Sequence, residues 1–460
     1  MNVGSFVRKL NNRPVNLFSP LIRISIKPLT LKYLLFSLGL ILVFGACKQH
    51  SGPIVSATYV DSLLSNYTTP AAIKTNETEM QFWKSRITGK NDIVNGSKYA
   101  SLLVGRFNLL GDIQDVKAAD SISDEIARSF NGKEASPYLS IVNHSILQHR
   151  FKKADEYLGI ARAIGLKQYE SAAASFDVDF ELGRMELARA DLEKIHAEND
   201  YGYQFRKSKM MHYKGDLDSS INAMQTAVKL SGSDPGLKQA ALSNVGDLYI
   251  HAGKLEKAYD CYIQSIRINA ADLHSIMGIG WIALVNDKND SLAERIFSFV
   301  HTRTQSPEPV FKLEQAADLR PDSVLQKKYA DEFVMLATDS SYGSMYNKYL
   351  LQLYTGILNE PAKALNLAKN ELENRATPQT YAWYVWSLLA NNKKDTAYAV
   401  YQQYVSGKPL EGLELYWMGK LMQSMNKGYN AQQYFREAIK NRYDLSPGIV
   451  RDLDKAMEEK

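Results

Sequence analysis

The chain has 460 residues, of which 45% are hydrophobic and 23% are charged. This length exceeds that of one ordinary globular core, and the composition excludes a chain that is disordered throughout. The formal net charge of +5 comes from residues 1–46, which contain several basic residues and no acidic one. The remaining chain is almost neutral, so the charge gives no reason to expect a nucleic-acid partner.

The N-terminal segment has the organisation of a secretory signal. A basic stretch precedes an apolar run from Tyr33 to Ala46, which is shorter than the roughly 20 residues that a membrane-spanning helix needs. Gly45 and Ala46 then precede Cys47, one of two cysteines in the chain. The stretch from Val43 to Cys47 resembles a lipobox, the site at which bacterial lipoprotein signal peptides are cleaved.

The lipobox resemblance implies that residues 1–46 are a signal peptide and that Cys47 becomes a lipid-bearing N-terminus. Lys48 stands where an aspartate would indicate retention in the inner membrane, so we expect a lipid anchor in the outer membrane of a Gram-negative bacterium. An uncleaved anchor, or an ordinary signal followed by a chance cysteine, is the alternative. Residues 47–79 are rich in Ser, Thr and Asn and are predicted to form mostly a flexible tether, with a short helix from Tyr59 to Leu64.

The clearest repeated unit runs from Leu242 to Asn269. Its first half has an apolar stripe at helical spacing with Gly246 among the large residues, and Gly253 lies where the chain must turn. Ala258 is the small residue at the start of the second half. The unit resembles a tetratricopeptide repeat, a pair of antiparallel helices that recurs with a period of about 34 residues.

Similar units recur across residues 98–446, and strand patterns are nearly absent. The resemblance implies an all-α fold, a right-handed α-solenoid of tetratricopeptide-like helix-turn-helix repeats. We expect an N-terminal array over residues 80–306 and a C-terminal array with a capping helix over residues 343–460. Prolines interrupt residues 307–342, which we predict to be an irregular helical segment or a deviant repeat.

The sequence offers no candidate catalytic or metal centre. It contains no metalloprotease, phosphate-loop or paired-cysteine motif, and its eight histidines are scattered. Cys261 is expected to be a small buried hydrophobic residue. We therefore predict no enzyme activity, no cofactor and no metal ion. Buried histidine and carboxylate groups bonded to one another in a cleft would be the observation that favours an enzyme.

Aromatic residues are concentrated in the C-terminal units. The tetratricopeptide resemblance implies that certain first-helix positions line a concave groove. Candidates for partner binding at these positions are His251, Trp281, Trp386, Tyr416, Lys420 and Gln423. Aromatic side chains on a concave surface bury a large area against a partner. The alternative is that these rings fill gaps between irregular repeats.

The predicted function is that of a membrane-anchored interaction scaffold. Helical solenoids commonly bind peptides or protein segments, so we expect a protein or peptide partner in the cell envelope and no nucleic-acid partner. A carbohydrate- or nutrient-binding envelope lipoprotein is the alternative, because exposed Tyr and Trp rings suit sugar faces. An open groove that holds both Trp386 and Tyr416 would favour that alternative.

Overall fold

The computed structural model describes residues 52–89, 92–320 and 322–458. These residues form α-helices and two short 3₁₀ helices, with no β-strand in the described ranges. Cys47 and the predicted signal peptide lie outside the described residues.

The α-helices follow one another with short connections. In chain order they are α1 Ala57–Ser65, α2 Ala71–Ser85, α3 Ile93–Leu110, α4 Ile113–Ser129, α5 Ser136–Leu147, α6 Phe151–Ile164, α7 Gln168–Glu181, α8 Met185–Lys194, α9 Tyr201–Tyr213, α10 Leu217–Leu230, α11 Pro235–His251, α12 Leu255–Ile268, α13 Leu273–Val285, α14 Asp290–His301, α15 Glu308–Leu319, α16 Ser323–Ala337, α17 Asn347–Thr355, α18 Pro361–Asn374, α19 Pro378–Ala390, α20 Lys394–Tyr404, α21 Gly412–Ser424, α22 Gly428–Ala438 and α23 Pro447–Glu458. The 3₁₀ helices are Ser340–Tyr342 and Ile439–Asp444.

Consecutive helices pack as pairs, from α3 with α4 to α21 with α22. The second helix of one pair also packs on the first helix of the next, as α10 does on α11 and α14 on α15. Each pair therefore buries its apolar surface against its neighbours rather than in one central core. The predicted fold class is confirmed: the described chain is an all-α solenoid of tetratricopeptide-like helix pairs.

Small residues allow the two helices of a pair to approach closely. A Cβ atom on Gly246 would overlap the ring of Tyr262, which is 1% exposed. Gly419 bears the same relation to Phe435 in the last pair. The large ring of the second helix thus fills the space that the missing side chain leaves, which is why a glycine stands at this point of the pattern.

Turns of early pairs lie against loops from much later in the chain. Gln305, in the loop after α14, donates its backbone N–H to the carbonyl of Leu110 in the α3–α4 turn at 2.7 Å. Asn374, at the end of α18, donates its side-chain amide to the carbonyl of His149 in the α5–α6 turn, also at 2.7 Å. These contacts join parts of the solenoid that are far apart in the sequence.

The tether predicted for residues 47–79 is wrong from Ile54 onward. The backbone N–H groups of Ile54 and Val55 both donate to the carboxylate of Asp287 at 2.9 Å. Helix α1 packs on α14 and fully buries Val60. The Ser- and Thr-rich composition conceals a few apolar residues that helix formation places on one buried face.

Residues 307–342 form a helix pair of their own, because α15 packs on α16 as the helices of other pairs do. Pro307 is the N-cap of α15 and Pro309 lies in its first turn. A proline at these positions starts a helix rather than breaking it, since the first backbone N–H groups have no intrahelical acceptor.

Candidate functional site

A polar chamber lies on the concave side, between the first helices of consecutive pairs and the C-terminal segment of the chain. Its volume is about 380 Å³. Helices α9, α11, α13, α15 and α17 form one wall, and residues 411–413 and 441–449 form the other. The size is that of a small-ligand site rather than of a groove for a folded partner.

A second chamber of about 390 Å³ adjoins the polar one. It lies between the turns of the α7–α8 and α9–α10 pairs and the loops that precede α19 and α21. Its lining combines apolar residues with charged ones, among them Phe180, Met185, Leu410, Glu181, Lys214 and Arg375. His212, His251, Glu411 and Asn441 line both chambers. We call the two chambers together the channel.

Two histidine–carboxylate pairs lie in the polar chamber. His274 Nε2 is 3.0 Å from Asp247, which also accepts a hydrogen bond from the Tyr262 hydroxyl at 2.7 Å. The negative charge of Asp247 raises the pKa of His274 to about 10. His251 Nδ1 is 2.8 Å from Asp444 in the C-terminal 3₁₀ helix.

The His274–Asp247 pair bears on the possibility of an enzyme. Because the pKa of His274 is raised, its ring is protonated at neutral pH and its charge is held by Asp247. A general base must be unprotonated near the working pH. The His274–Asp247 pair is therefore suited to joining α13 to α11 as an ion pair and is poorly suited to proton transfer.

Lys348 joins the two walls of the channel. Its ammonium lies 2.9 Å from Glu411 and 3.0 Å from Glu414, and the Glu414 side chain is fully buried. Glu414 also accepts a hydrogen bond from the indole of Trp383 at 2.7 Å. The charge of Lys348 lowers the pKa of Glu411 to about 2, so this link between α17 and α21 stays ionised at neutral pH.

Three polar side chains of α15 point into the polar chamber without such partners. Among the described residues, none lies within ion-pair distance of the Lys312 ammonium or the Glu308 carboxylate, and the Gln315 side chain makes no hydrogen bond. The Lys312 ammonium lies 3.8 Å from the ring centroid of Trp281. Burial lowers the pKa of Lys312.

The structure divides the candidate groove residues into separate places. His251 and Trp281 line the polar chamber, and the Trp281 indole donates to the carbonyl of Tyr443 at 2.6 Å. Trp386 lies elsewhere, stacked on Trp417 with ring centroids 5.6 Å apart. Its indole donates to the Thr355 hydroxyl at 2.9 Å. Trp281 and Trp386 therefore do not lie in the same site.

Two of the remaining candidates are bonded to the C-terminal helix α23. Tyr416 donates its hydroxyl to Asp452 of that helix at 2.7 Å, and the Lys420 ammonium is 3.0 Å from the same carboxylate. The Tyr416 and Trp386 rings are half-buried neighbours with centroids 6.5 Å apart. Gln423 is exposed. The capping helix thus engages the polar groups of Tyr416 and Lys420.

The sequence did not indicate the polar α15 side chains as site residues, because the prolines of residues 307–342 predicted an interruption of the array there. The signal was the spacing of Glu308, Lys312 and Gln315, which places all three on one face of a helix.

The comparisons with known proteins agree with this architecture. Residues 240–272 match the family model described as tetratricopeptide repeat. The chain contains a tetratricopeptide repeat. The matched residues cover most of α11 and all of α12, so this repeat contributes Asp247, His251 and Tyr262 to the polar chamber. The tetratricopeptide-like fold indicates a scaffold for protein–protein interaction.

Several solved structures are similar to the chain at low identity. A tetratricopeptide repeat protein from Parabacteroides merdae is 13% identical, with 57% of this chain and 100% of that chain covered and a TM-score of 0.34. The Pseudomonas aeruginosa protein pilF is 13% identical, with 46% and 97% covered and a TM-score of 0.34. A Rap protein complexed with competence and sporulation factor is 12% identical, with 84% and 99% covered and a TM-score of 0.44. No curated protein matches the chain.

None of the helices in the described part of the chain combines the length and apolar character needed to cross a bilayer. Within the same residues, no group of three or more His, Cys, Asp or Glu side chains is arranged to hold a metal ion.

Proposed function

We propose that this protein is a lipid-anchored scaffold of the cell envelope that binds a peptide, or a peptide segment of a protein, in the channel. The observation that carries the proposal is the row of unpaired polar side chains on α15, which faces a chamber bordered by the first helices of several pairs. A solenoid interior of this kind presents polar groups and apolar surface along one path, as peptide recognition requires.

The C-terminal segment limits the size of the occupant. Its backbone is tied to the concave side at Trp281 through Tyr443, and the N–H of Gly448 donates to the Asp318 carboxylate at 2.6 Å. With this segment in place, two adjoining chambers remain open rather than one long groove. Chambers of about 380 and 390 Å³ suit a short peptide segment rather than a folded partner.

One observation favours the nutrient-binding alternative, because the Trp386 and Tyr416 rings are half-buried neighbours with centroids 6.5 Å apart. Trp386 is stacked on Trp417, the Tyr416 hydroxyl is bonded to Asp452, and neither ring lines the channel. We therefore keep peptide binding as the proposal.

Photo-crosslinking from inside the channel tests peptide binding. A diazirine side chain placed at Gln352, which lines the polar chamber, should form an adduct with a peptide or protein segment in the native cells. The matched control carries the same side chain at Lys328, which is exposed on α16. Adducts that form equally from both positions, or none from Gln352, would contradict the proposal.

The lipid anchor is proposed from the lipobox resemblance at Cys47. We expect cells fed a clickable fatty acid to label the wild-type protein and not Cys47→Ser, because only the thiol at this position can accept the diacylglyceryl group. Cys261→Ser is the control and should label like wild type, since Cys261 is buried in α12. Equal labelling of Cys47→Ser would remove the anchor from the proposal, while the crosslinking result would stand independently.

A further inference from the structure

The row of polar side chains on α15 is specific enough to suggest what part of a peptide the polar chamber recognises. Glu308, Lys312 and Gln315 follow one another at intervals of four and three residues, so they lie along one stripe of the helix. All three line the polar chamber. The stripe therefore presents a carboxylate, an ammonium and an amide in that order.

The Gln315 side chain in this stripe lacks a hydrogen-bond partner within the described residues. The residue is 6% exposed, and its side-chain oxygen is buried with no hydrogen-bond partner among the described residues. A buried amide without a hydrogen-bond partner destabilises the folded protein. A ligand or a water molecule commonly supplies the missing hydrogen bond. Rotation of the amide can present either its N–H or its oxygen to an occupant.

Other charged groups around the stripe already form ion pairs within the protein. Asp247 is paired with His274, Asp444 with His251, and Lys348 with two glutamates. The Lys312 ammonium rests on the Trp281 ring, a contact that leaves its N–H donors available to an anion. The charge of Glu308 favours the protonated forms of Lys312 and His274, but no ion pair with Glu308 or Lys312 forms within the described residues. Lys312 and Glu308 are thus the charges of α15 that an occupant can still pair with.

The distances between the side chains of the stripe match the length of a short extended peptide. Glu308 and Lys312 are separated by about 6 Å along the helix axis, and Glu308 and Gln315 by about 10 Å. An extended peptide advances by about 3.3–3.6 Å per residue. Two or three residues therefore separate an amine at Glu308 from a carboxylate at Lys312 and Gln315.

We propose that the polar chamber recognises both charged ends of a short peptide, with the terminal ammonium on Glu308 and the terminal carboxylate on Lys312 and Gln315. This inference rests on the proposed peptide binding in the channel and adds that the occupant has free termini. Side chains of the peptide can reach the adjoining second chamber, whose lining includes both apolar and charged residues.

Three mixed-sequence tripeptide pools, identical except at their ends, test the inference. One pool has free termini, one is N-acetylated, and one is C-amidated. The purified protein is equilibrated with each pool, and the peptides that it retains on ultrafiltration are measured by mass spectrometry. We expect each blocked pool to be retained about tenfold less than the free pool, because each lacks one charge-assisted contact.

Substitutions in the stripe test which residue binds each end of the peptide. Lys312→Met should bind the free and C-amidated pools equally, whereas Glu308→Gln should bind the free and N-acetylated pools equally. Lys312→Arg should restore part of the preference for a free carboxylate. Lys328→Met, outside the channel, should leave all three pools unchanged.

The outcomes separate the inference from the proposed function. Equal retention of all three pools by the wild-type protein, lost on blocking the channel with a bulky Gln352→Trp change, would overturn terminal recognition and keep peptide binding. Retention of no pool would overturn the inference, and the crosslinking experiment would then decide the proposed function separately.

Discussion

At the scale of single residues, the fold depends on where side chains are absent as much as on where they are present. Gly246 lies so close to the Tyr262 ring that a Cβ atom would overlap it. Tyr262 cannot move easily, because it is buried and its hydroxyl is bonded to Asp247. Gly159, within α6, has no atom near its notional Cβ position and has an ordinary helical backbone.

The two glycines should therefore respond to the same substitution in opposite directions. We expect Gly246→Ala to destabilise the protein by about 1–3 kcal/mol, as overpacking of a filled core does. Gly159→Ala should be neutral or should stabilise the protein by up to about 1 kcal/mol, since alanine favours the helix. Midpoints of thermal unfolding compare the two. A Gly246→Ala variant as stable as wild type would show that the crossing is looser than the structure indicates.

At the scale of elements, the N-terminal helix belongs to the body of the protein, and both backbone hydrogen bonds and apolar packing attach it. Asp287, in the α13–α14 turn, accepts from the backbone of Ile54 and Val55. Tyr67, beyond α1, meets the edge of the Phe299 ring at 5.1 Å. Composition alone indicated a tether because these anchoring partners lie more than two hundred residues away along the chain.

Removing the acceptor should release this segment and leave the repeats intact. In Asp287→Ala we expect faster cleavage by a broad-specificity protease between residues 52 and 70, because two backbone N–H groups lose their partner and local unfolding becomes easier. Asp218→Ala, which removes an exposed carboxylate that pairs only with Lys254, is the control. Unchanged cleavage in Asp287→Ala would mean that apolar burial around Val60 suffices to hold the segment.

The same scale explains the segment at residues 307–342. Its prolines were correctly recognised as boundaries, but a proline at the start of a helix and one inside it look alike in sequence until the helix is located. Pro307 and Pro309 stand at the start of α15, so the helix continues unbroken through Lys312 and Gln315. The candidate stripe therefore lies in the segment that sequence patterns describe least well.

At the scale of the whole described chain, the functional surface results from contacts between distant repeats. The polar chamber has first helices of consecutive pairs on one side and residues from 411 onward on the other. Ion pairs such as His251–Asp444 and Lys348–Glu411 join these sides across the sequence. The concave groove of a repeat array thus becomes a channel only when the C-terminal segment lies against the middle pairs.

The sequence by itself determined the repeat. Helical periodicity, the crossing glycines such as Gly246 and Gly419, and the turn glycines such as Gly253 are local features, and each helix pair forms from residues close together in the chain. The all-α fold class followed from these features, and so did the placement of His251 and Trp281 on first helices.

Only the tertiary structure decided which concave positions remain available. Trp386 and Tyr416 have the repeat positions expected of groove residues, yet a neighbouring tryptophan and helix α23 contact them. Glu308, Lys312 and Gln315 look like an ordinary polar face, yet they line a chamber. The physical reason is that side-chain periodicity specifies which face of a helix is polar, whereas burial and pairing depend on segments that the solenoid brings back from far along the chain.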